Sequence, residues 1–452
     1  MSFSPADSAL FAPLFTDLRV AKLFGDEAML ARMVEFEAAL ARVEGRLGVI
    51  PAAAGEELAG ALSGLQLASL DIGRLAGDTA RDGVPVPGLL GQLRERLRET
   101  APGAEPYLHW GATSQDVMDT AFVLQLRAAL EVLAETLEQT IDRLSGLARA
   151  HRLTPMLGRT HGRHAVPISF GLKVAGWLAP LLRHQERLDQ LRRRVLVLQL
   201  GGAAGTLAPL GTSASDVRAA LAAELGLGSS TVPWHTARDG FAELAGWLAA
   251  VSGSLAKVAQ DVILLSQEEV AEVRESAGGG GSSTMPQKSN PIRSEMIIAA
   301  ARANAGLVST MHHALIQEHE RATHGWQLEW TALPQMVAYA SSALEKGAEL
   351  AGALVVNEER MRLNLEATNG LAWSEALTFA LARHLPRTRA AELVAESARR
   401  SRNEGLHLFA AAREMTDAPV DWEGLRDPAG SLGAAGELVD ALLSQVEGRD
   451  DE

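Results

Sequence analysis

The sequence predicts an all-α protein of three helical domains, with a bundle of long helices in the central domain. Three observations predict this class. Apolar residues recur at three- and four-residue steps along most of the chain, and no stretch of any length alternates as a strand does. Several periodic segments are about 30 residues long, which corresponds to helices of roughly 45 Å. A chain of 452 residues is also too long for a single compact core.

Residues 1–104 form the predicted N-terminal helical domain, because short helical patterns alternate there with Gly and Pro. Asp26 to Gly48 is the clearest helix of this domain, with its apolar residues on one face. Gly48 and the following Pro51 are a normal helix stop. The segment GVPVPG then predicts a turn that leads into another helix.

Residues 105–347 form the predicted central bundle, because five long apolar patterns follow one another there. The patterns share helical spacing and run from Gln115, from Pro167 to Gln199, from Phe241 to Leu265, from Pro291, and after Pro334. Apolar faces of this extent indicate that bundles from several subunits pack together, so we do not expect a monomer. The segments shorten again after residue 347, and 348–452 form the predicted C-terminal helical domain.

The composition excludes several classes of function. The formal net charge of −14 argues against a general surface for nucleic acid or anionic membranes. The chain has no cysteine, and therefore no disulfide, thiolate metal site or cysteine nucleophile. The N-terminus lacks a basic signal-peptide region, and no stretch reaches the roughly 20 uninterrupted apolar residues of a membrane span. We therefore expect a cytoplasmic protein.

The glycine-rich stretch GGGGSSTMPQKSNPIRSE, from Gly278 to Glu295, carries the strongest functional pattern. Four consecutive glycines allow almost any backbone path, as a mobile lid requires. Pro291 fits the first turn of a helix, with Asn290 as its N-cap. Most such runs are surface linkers, but a linker rarely carries Met-Pro and then Asn-Pro before a long apolar helix. We therefore interpret residues 276–291 as a functional loop.

The segment GSSTMPQKSNP closely resembles the signature of the fumarase/aspartase superfamily. The match is long and nearly free of gaps. It implies that Ser282 is the catalytic base, and that Lys288 and Asn290 bind a substrate carboxylate. It also implies that Glu295 is the glutamate that pairs with a catalytic histidine. For the fold, the resemblance implies the three-domain arrangement of that superfamily, with a central bundle that assembles across subunits.

The segment HWGATSQDVMDT resembles the GxTSxD motif of the same superfamily. Thr113 and Ser114 lie just before a long helix, and Asp116 lies in its first turn. From the residues alone this is an ordinary N-terminal helix cap. The resemblance implies that both hydroxyls bind the substrate, and one helix end can serve both purposes.

The segment GRTHGRHAVP resembles the motif THxQxAxP. The resemblance places His161 at the general-acid position, with Thr160 and Arg159 as binding residues. Arg163 stands where the superfamily usually has Gln, which leaves that contact open and adds positive charge for a more anionic substrate. Metal binding by His161 and His164 is a rival interpretation. No carboxylate or third histidine stands at ligand spacing, so we predict no metal.

The segment EHERATHGWQLEWTALP provides Arg321 as a candidate for a further carboxylate contact. Trp326 and Trp330 in the same segment either line a site or belong to the core. WQLEW, together with PWHTARD and the N-terminal helix, resembles the cycloisomerase branch of the superfamily. Adenylosuccinate lyases have a similar HER segment, but Ser- and Arg-rich residues follow it there.

The resemblance implies chemistry without a cofactor, in which a proton moves at a carbon next to a bound carboxylate. The implied substrate is a small polycarboxylate. The superfamily builds each site from motif regions of different subunits, which implies a homo-oligomer, most simply a tetramer. Three alternatives stay open at this point: a C–N lyase of the adenylosuccinate lyase type, an inactive structural homologue, and an interaction scaffold of long helices.

Overall fold

The structure of the protein is a computed structural model, which describes residues 4–276, 280–281, 284–285 and 288–448. Helices dominate the described chain, and the predicted all-α class is confirmed. The helices of the N-terminal part are α1 (Ala12–Phe15), α2 (Leu18–Ala21), α3 (Asp26–Arg46), α4 (Ala52–Ser63), α5 (Ile72–Asp82) and α6 (Val86–Thr100).

The long helices predicted for the middle of the chain are present, with α9 as a shorter one between them. They are α7 (Ser114–Ala150), α8 (Phe170–Val195), α9 (Ala214–Glu224), α10 (Asp239–Ser266), α11 (Ile292–Ala314) and α12 (Gly325–Ala353). Shorter helices follow, namely α13 (Glu358–Glu366), α14 (Ser374–Leu381), α15 (Arg387–Glu404), α16 (Leu408–Arg413), α17 (Trp422–Arg426) and α18 (Ala435–Glu447). Short 3₁₀ helices lie at Pro5–Asp7, Leu67–Ser69, Glu105–Tyr107, Ala208–Ser213, Leu371–Trp373 and Pro428–Ser431.

The start of α12 differs from the prediction. The sequence placed this helix after Pro334, whereas α12 begins at Gly325 and contains Pro334 in its interior. A proline inside a helix removes one backbone hydrogen bond and is normally costly. Here the buried apolar residues on both sides, Leu333 and Met336, hold the helix in the core and offset that cost.

Strands are present where the sequence pattern predicted none. The antiparallel strands β1 (Pro155–Thr160) and β2 (Arg163–Ser169) form a hairpin, and Pro167 therefore belongs to a strand rather than to α8. Two minor pairs are β3 (Val197–Leu198) with β4 (Gly228–Ser229), parallel, and β5 (Val273–Glu275) with β6 (Leu354–Val356), antiparallel. The turn of this hairpin carries His161, one of the predicted site residues.

The chain forms two compact units, each assembled from three separate stretches of sequence. The first unit contains residues 1–135, 184–253 and 299–343, and the second contains 136–183, 254–298 and 344–452. Each of α7, α8, α10, α11 and α12 contributes one segment to each unit. The division into domains 1–104, 105–347 and 348–452 stays a prediction.

Each unit has its own apolar core. In the first unit α3 is central, and Met33 and Phe36 of this helix are fully buried against residues of α4, α6 and α7. In the second unit Leu157 of β1 is buried in a core with Leu377 of α14 and Leu408 of α16. The cores fix the elements on which the candidate site residues lie.

Helix α10 is long and apolar enough to cross a membrane, judged by its length and composition alone. Its residues Leu244, Leu248, Val251 and Val262 are fully buried within the protein. Burial of this kind is typical of a core helix, which passes the same test of length and hydropathy.

Candidate active site

Asp116 is the anchor of the predicted substrate-binding helix start. Its carboxylate is fully buried and accepts a hydrogen bond from the backbone N–H of Thr113 at 3.0 Å, which caps α7. It also accepts from the backbone N–H groups of Gly201 and Gly202, each at 2.9 Å. His235 Nε2 lies 2.7 Å from Asp116 Oδ1. Asp116 therefore joins three segments, and it leaves the Thr113 and Ser114 hydroxyls for other partners.

Thr113 and Arg321 meet in the structure. Arg321 donates a hydrogen bond from its guanidinium to Thr113 Oγ1 at 2.6 Å, across 208 residues of sequence. Both side chains are part-buried, as is Ser114 at the first position of α7. A guanidinium bonded to a hydroxyl at a helix N-terminus is an arrangement suited to a carboxylate. The segments HWGATSQDVMDT and EHERATHGWQLEWTALP, which the sequence analysis identified separately, are thus adjacent.

A buried cluster of charged side chains forms around Asp119, which lies on α7 one turn after Asp116. Arg238 donates to Asp119 at 2.7 Å and 3.0 Å, and to Glu329 Oε1 at 2.8 Å. Trp326 donates its indole N–H to Asp119 Oδ1 at 3.0 Å. The guanidinium also lies over the ring of Trp234, 4.7 Å from its centroid. The cluster ties PWHTARD and WQLEW to α7, and its three charged members, Arg238, Asp119 and Glu329, are at most 3% exposed.

Burial is the largest influence on the pKa values of Glu329 and Arg238 in this cluster. Desolvation raises the pKa of Glu329, and the hydrogen bonds and charge of Arg238 only partly counter it. Burial lowers the pKa of Arg238, but the charge of Asp119 and the bonds to Glu329 outweigh it, so the net shift is upward. Arg238 is therefore a permanent structural cation.

A cavity of about 580 Å³ opens beside this cluster. Trp326 is buried, whereas Trp330 is 38% exposed and packs edge-on against it at 4.8 Å between centroids. Both tryptophans line the cavity, so Trp326 is a core residue that also contacts it. The other large apolar residues of its wall are Phe24, Met29, Leu30, Met33, Ile72, Leu75, Met118, Phe122 and Phe241.

His161 lies at the turn of the β1–β2 hairpin. Its φ of 49° and the φ of 72° at Gly162 are both positive, as a two-residue type I′ turn requires. Thr160 and Arg163 pair directly across the turn. All four residues are exposed, so the hairpin presents the imidazole and Arg163 at the surface of the second unit.

Arg159 has an internal partner. Its guanidinium makes a two-pronged ion pair with Glu272, with both nitrogen–oxygen distances at 2.8 Å. Glu272 is fully buried and also accepts from the Asn364 amide at 2.9 Å. This pair holds β1 to the segment before β5, and substrate binding by Arg159 stays a prediction.

The two ends of the candidate lid are fastened to each other. Gly281 and Ser289 form an antiparallel bridge, and the backbone N–H of Asn290 donates to the carbonyl of Gly280 at 2.9 Å. Gly280 has a φ of 76°, and a Cβ atom there would lie 2.2 Å from the Asn290 carbonyl oxygen. Ser282, the predicted base, lies outside the described residues. Of the two described glycines in this stretch, Gly280 is the one whose position requires glycine.

Helix α11 starts one residue after Pro291, and its cap is not the predicted one. Glu275 of β5 accepts from the backbone N–H groups of Arg293 and Ser294, at 3.3 Å and 3.0 Å. The Ser294 hydroxyl donates to the same carboxylate at 2.7 Å. A carboxylate placed against the first turn satisfies the free N–H groups and the helix dipole. The assignment of Asn290 as N-cap was wrong because it considered only neighbours in sequence.

The predicted site residues at the end of this stretch differ in exposure. Lys288 and Glu295 are exposed, and Asn290 is part-buried beside the fastened loop ends.

The predicted site residues divide between the two compact units. Thr113, Ser114 and Arg321 belong to the first, and Arg159, Thr160, His161, Lys288, Asn290 and Glu295 to the second. Among the residues that the structure describes, no group of three His, Asp or Glu side chains could hold a metal ion.

Sequence reasoning missed one polar pair next to the Thr113 loop. His109 Nδ1 lies 2.6 Å from Glu37 Oε1, and Glu37 is 1% exposed. His109 opens the HWGATSQD segment, but its partner is on a helix 72 residues earlier. Nothing in the local spacing connects the two residues, although two glutamates among the apolar residues of α3 are a signal of buried polar contacts.

A family model described as lyase matches residues 20–306, and the chain belongs to this family, within the fumarase/aspartase superfamily. The protein is therefore an enzyme of this superfamily. The chain is 43% identical to the 3-carboxy-cis,cis-muconate cycloisomerase of Pseudomonas aeruginosa, over 98% of each chain. The crystal structure of the 3-carboxy-cis,cis-muconate lactonizing enzyme from Pseudomonas putida matches with a TM-score of 0.91 and 40% identity, over 97% of this chain and 99% of that one. The nitrosuccinate lyase of Streptomyces davaonensis is 36% identical, over 97% and 94% of the two chains.

Proposed function

We propose that the protein is a 3-carboxy-cis,cis-muconate cycloisomerase, which closes a carboxymuconolactone in the catabolism of protocatechuate. The observation that carries this proposal is the 43% identity to a relative of that name over 98% of both chains. The structure adds a second support, since Arg238 of PWHTARD and Glu329 of WQLEW hydrogen-bond to each other. The two segments that resemble the cycloisomerase branch thus act as one structural feature.

The proposed reaction is an intramolecular addition. A carboxylate oxygen of the substrate bonds to one carbon of a C=C bond, and the adjacent carbon takes a proton from Ser282. Solvent then returns a proton to the serine oxygen, so atoms and charge balance without an oxidant or a cofactor. Ser282 needs dipoles around its oxygen to act as acid and base, and a closed lid provides them.

Lys288 and Asn290 stabilise the negative charge that builds on the carboxylate next to the reacting carbon. Thr113, Ser114 and Arg321 bind a second carboxylate at the start of α7, supported by the 2.6 Å contact between Thr113 and Arg321. Thr160 and Arg159 are further candidate contacts. His161 orients the substrate, with Glu295 as its partner. In the reverse direction the leaving group is a carboxylate, which is already stable as an anion, so general-acid help from His161 is worth little.

Complete sites are proposed to form in a homotetramer, with motif regions from different subunits. The division of the candidate residues between two units of the chain is compatible with this arrangement. The protein is proposed to work in the cytoplasm, with no nucleic-acid or membrane partner. The net charge of −14 supports the absence of a nucleic-acid partner.

The second candidate function is a C–N lyase of the adenylosuccinate lyase type. The observation in its favour is His161, presented at the tip of an exposed hairpin as a general acid would need to be. An inactive structural homologue is the third candidate. Supplying purified protein with 3-carboxy-cis,cis-muconate and, separately, with adenylosuccinate, while following absorbance, decides among the three. Turnover of the muconate alone supports the proposal, and turnover of adenylosuccinate alone replaces it.

A further inference from the structure

Two carboxylates on α3 are buried without enough positive charge to balance them. Glu37 is 1% exposed and Glu44 is 0% exposed, and they lie seven residues apart on one face of the helix. Glu37 Oε1 contacts His109, but Glu37 Oε2 and both oxygens of Glu44 have no hydrogen-bond partner among the described residues. Buried ionised carboxylates without partners are strongly disfavoured. One of the two groups must therefore be neutral.

The contact to His109 decides which group keeps the charge. A carboxylate at 2.6 Å from an imidazole nitrogen forms a charge-assisted hydrogen bond, whereas Glu44 has no such partner. Burial opposes protonation of His109, yet the charge and hydrogen bond of Glu37 hold its pKa above the ordinary value. Desolvation, followed by the charge of Glu37, raises the pKa of Glu44 to about 9. The favoured state is an ionised Glu37, a protonated His109 and a neutral Glu44.

The loop that this pair restrains leads directly to the candidate site. His109 has a φ of 64°, in the left-handed region that non-glycine residues rarely adopt. Four residues later comes Thr113, whose hydroxyl meets Arg321. A strained residue persists only where its surroundings fix it, and here the Glu37 contact does so. The bond between His109 and Glu37 thus restrains the start of the loop to Thr113, whose own N–H and hydroxyl are held by Asp116 and Arg321.

We propose that Glu37 and Glu44 together hold a single negative charge, which Glu37 uses to fix the imidazolium of His109 and, through it, the loop to Thr113. Both glutamates are positioning residues, since neither reaches the surface. The inference rests on the proposed function only where it concerns substrate binding by Thr113.

Other charges around the cluster leave this assignment unchanged. Asp116 favours the charged form of His109, and Arg94 of α6 opposes it, both less than Glu37 does. On α4, which packs against α3, Glu56 and Glu57 are exposed to solvent. On α9, Glu224 is paired with Arg42 and Arg46 of α3.

The first test is infrared spectroscopy of the wild type, Glu44→Gln and Glu35→Gln at neutral pH. Glu35 is a matched control, because it lies on the same helix but is 39% exposed and paired with Arg32. A buried protonated carboxyl gives a separate C=O stretch band. The band of Glu44 is expected in the wild type and in Glu35→Gln, and it is expected to be missing from the difference spectrum's Glu44→Gln side. A band of the same position and intensity in wild type and Glu44→Gln overturns the proposal.

The second test separates KM from kcat for 3-carboxy-cis,cis-muconate. Glu37→Gln is expected to raise KM on the order of tenfold with little change in kcat, because it removes a hydrogen bond between charged groups. At neutral pH the KM of Glu44→Gln is expected to equal that of the wild type. At about pH 9 the wild type ionises Glu44 and its KM is expected to rise, whereas the KM of Glu44→Gln is expected to stay low. A Glu37→Gln enzyme with the KM of Glu35→Gln contradicts the inference.

His109→Asn tests the same contact from its other side and covers the case in which Glu37→Gln does not fold. The double variant is expected to show the KM of either single variant, since both remove one interaction. Additive effects contradict the inference. If the wild type does not turn over the muconate, the proposed function fails, while the infrared test still decides the charge of Glu44.

Discussion

Arg238 Nε donates a hydrogen bond to Glu329 Oε1 at 2.8 Å, within a pocket where both side chains are nearly inaccessible to solvent. The bond joins segments 91 residues apart, and Asp119 of α7 completes the cluster. The start of α7 bears Thr113 and Ser114, so the cluster braces the helix that carries them. Its role is to hold the candidate site in place.

We predict that Glu329→Gln lowers the free energy of unfolding by about 3 kcal/mol, because it leaves a buried guanidinium with one carboxylate fewer. Glu243→Gln is the control, since its ion pair with Arg194 is about half exposed and should contribute less than about 1 kcal/mol. Urea denaturation at one fixed protein concentration measures both. Equal, small losses would show that the buried cluster adds little to stability.

Glu44→Gln is expected to change how stability depends on pH. The pKa of Glu44 is about 9 in the folded protein and about 4.5 in an ordinary environment. Between these pH values the folded protein holds a proton that the unfolded chain has released, so wild-type stability falls as pH rises. Glutamine does not ionise. The variant should therefore exceed the wild type by roughly 3 kcal/mol near pH 7, and the difference should vanish below about pH 4.5.

Denaturation midpoints of wild type and Glu44→Gln across this pH range measure the effect. Glu35→Gln serves again as the control, and its pH dependence should follow that of the wild type. Parallel curves for wild type and Glu44→Gln would mean that Glu44 is already ionised at neutral pH.

Gly280→Ala is expected to reduce kcat/KM at least about tenfold, with a much smaller effect on stability. Alanine is disfavoured at a φ of 76°, and its Cβ atom would meet the Asn290 carbonyl oxygen at 2.2 Å. The added atom separates the ends of the loop that carries Ser282 and Lys288. Gly281→Ala is a close control, because a Cβ atom at Gly281 would have no neighbour within 4 Å. Similar activities of the two variants would count against a fastened lid base.

Thr113→Val is expected to lower kcat/KM on the order of tenfold, mainly through KM. Valine keeps the shape of threonine but removes the oxygen that accepts from Arg321 at 2.6 Å. Thr331→Val on the exposed side of α12 is the control, since its hydroxyl contacts only the Leu328 carbonyl. Steady-state kinetics on both variants test this contact. Unchanged kinetics for Thr113→Val would mean that the hydrogen bond between Thr113 and Arg321 does not contribute to substrate binding.

His161→Ala is expected to cost less than about tenfold in kcat, well below the loss at Ser282, because the carboxylate that leaves in the reverse direction gains little from general-acid help. Arg163, exposed on the same hairpin, provides the control variant Arg163→Ala. Kinetics with the muconate under identical conditions compare these variants. Losses at His161 as large as those at Ser282 would favour the C–N lyase chemistry instead.

The sequence predicted the helical class well because periodicity over about 30 residues is a strong signal. The sequence did not predict the β1–β2 hairpin, because Gly158 and the polar turn interrupt the alternation of apolar and polar residues. The turn also has His161 before its glycine, where hairpin turns of this type usually have Asn or Asp. Likewise Pro334 suggested a helix start that the surrounding core overrides. Tertiary packing decided the second case, whereas the first was obscured by the local sequence.

For the site, motifs identified residues but not their partners. Asp116 was predicted as a cap and is one, yet its bonds to Gly201, Gly202 and His235 depend on folding. The pairing of Arg159 with Glu272 and the capping of α11 by Glu275 also join segments distant in sequence. Such contacts leave no local spacing pattern. Substrate roles of the exposed residues stay predictions.

The most direct measurement is consumption of 3-carboxy-cis,cis-muconate by the wild type and by Ser282→Ala. The wild type should convert the substrate to a lactone, and the variant should lose on the order of 10³-fold in kcat, because no other group delivers the proton. Circular dichroism should show an intact helical fold in both. A folded Ser282→Ala enzyme with activity near that of the wild type would contradict the central claim that this serine moves the proton.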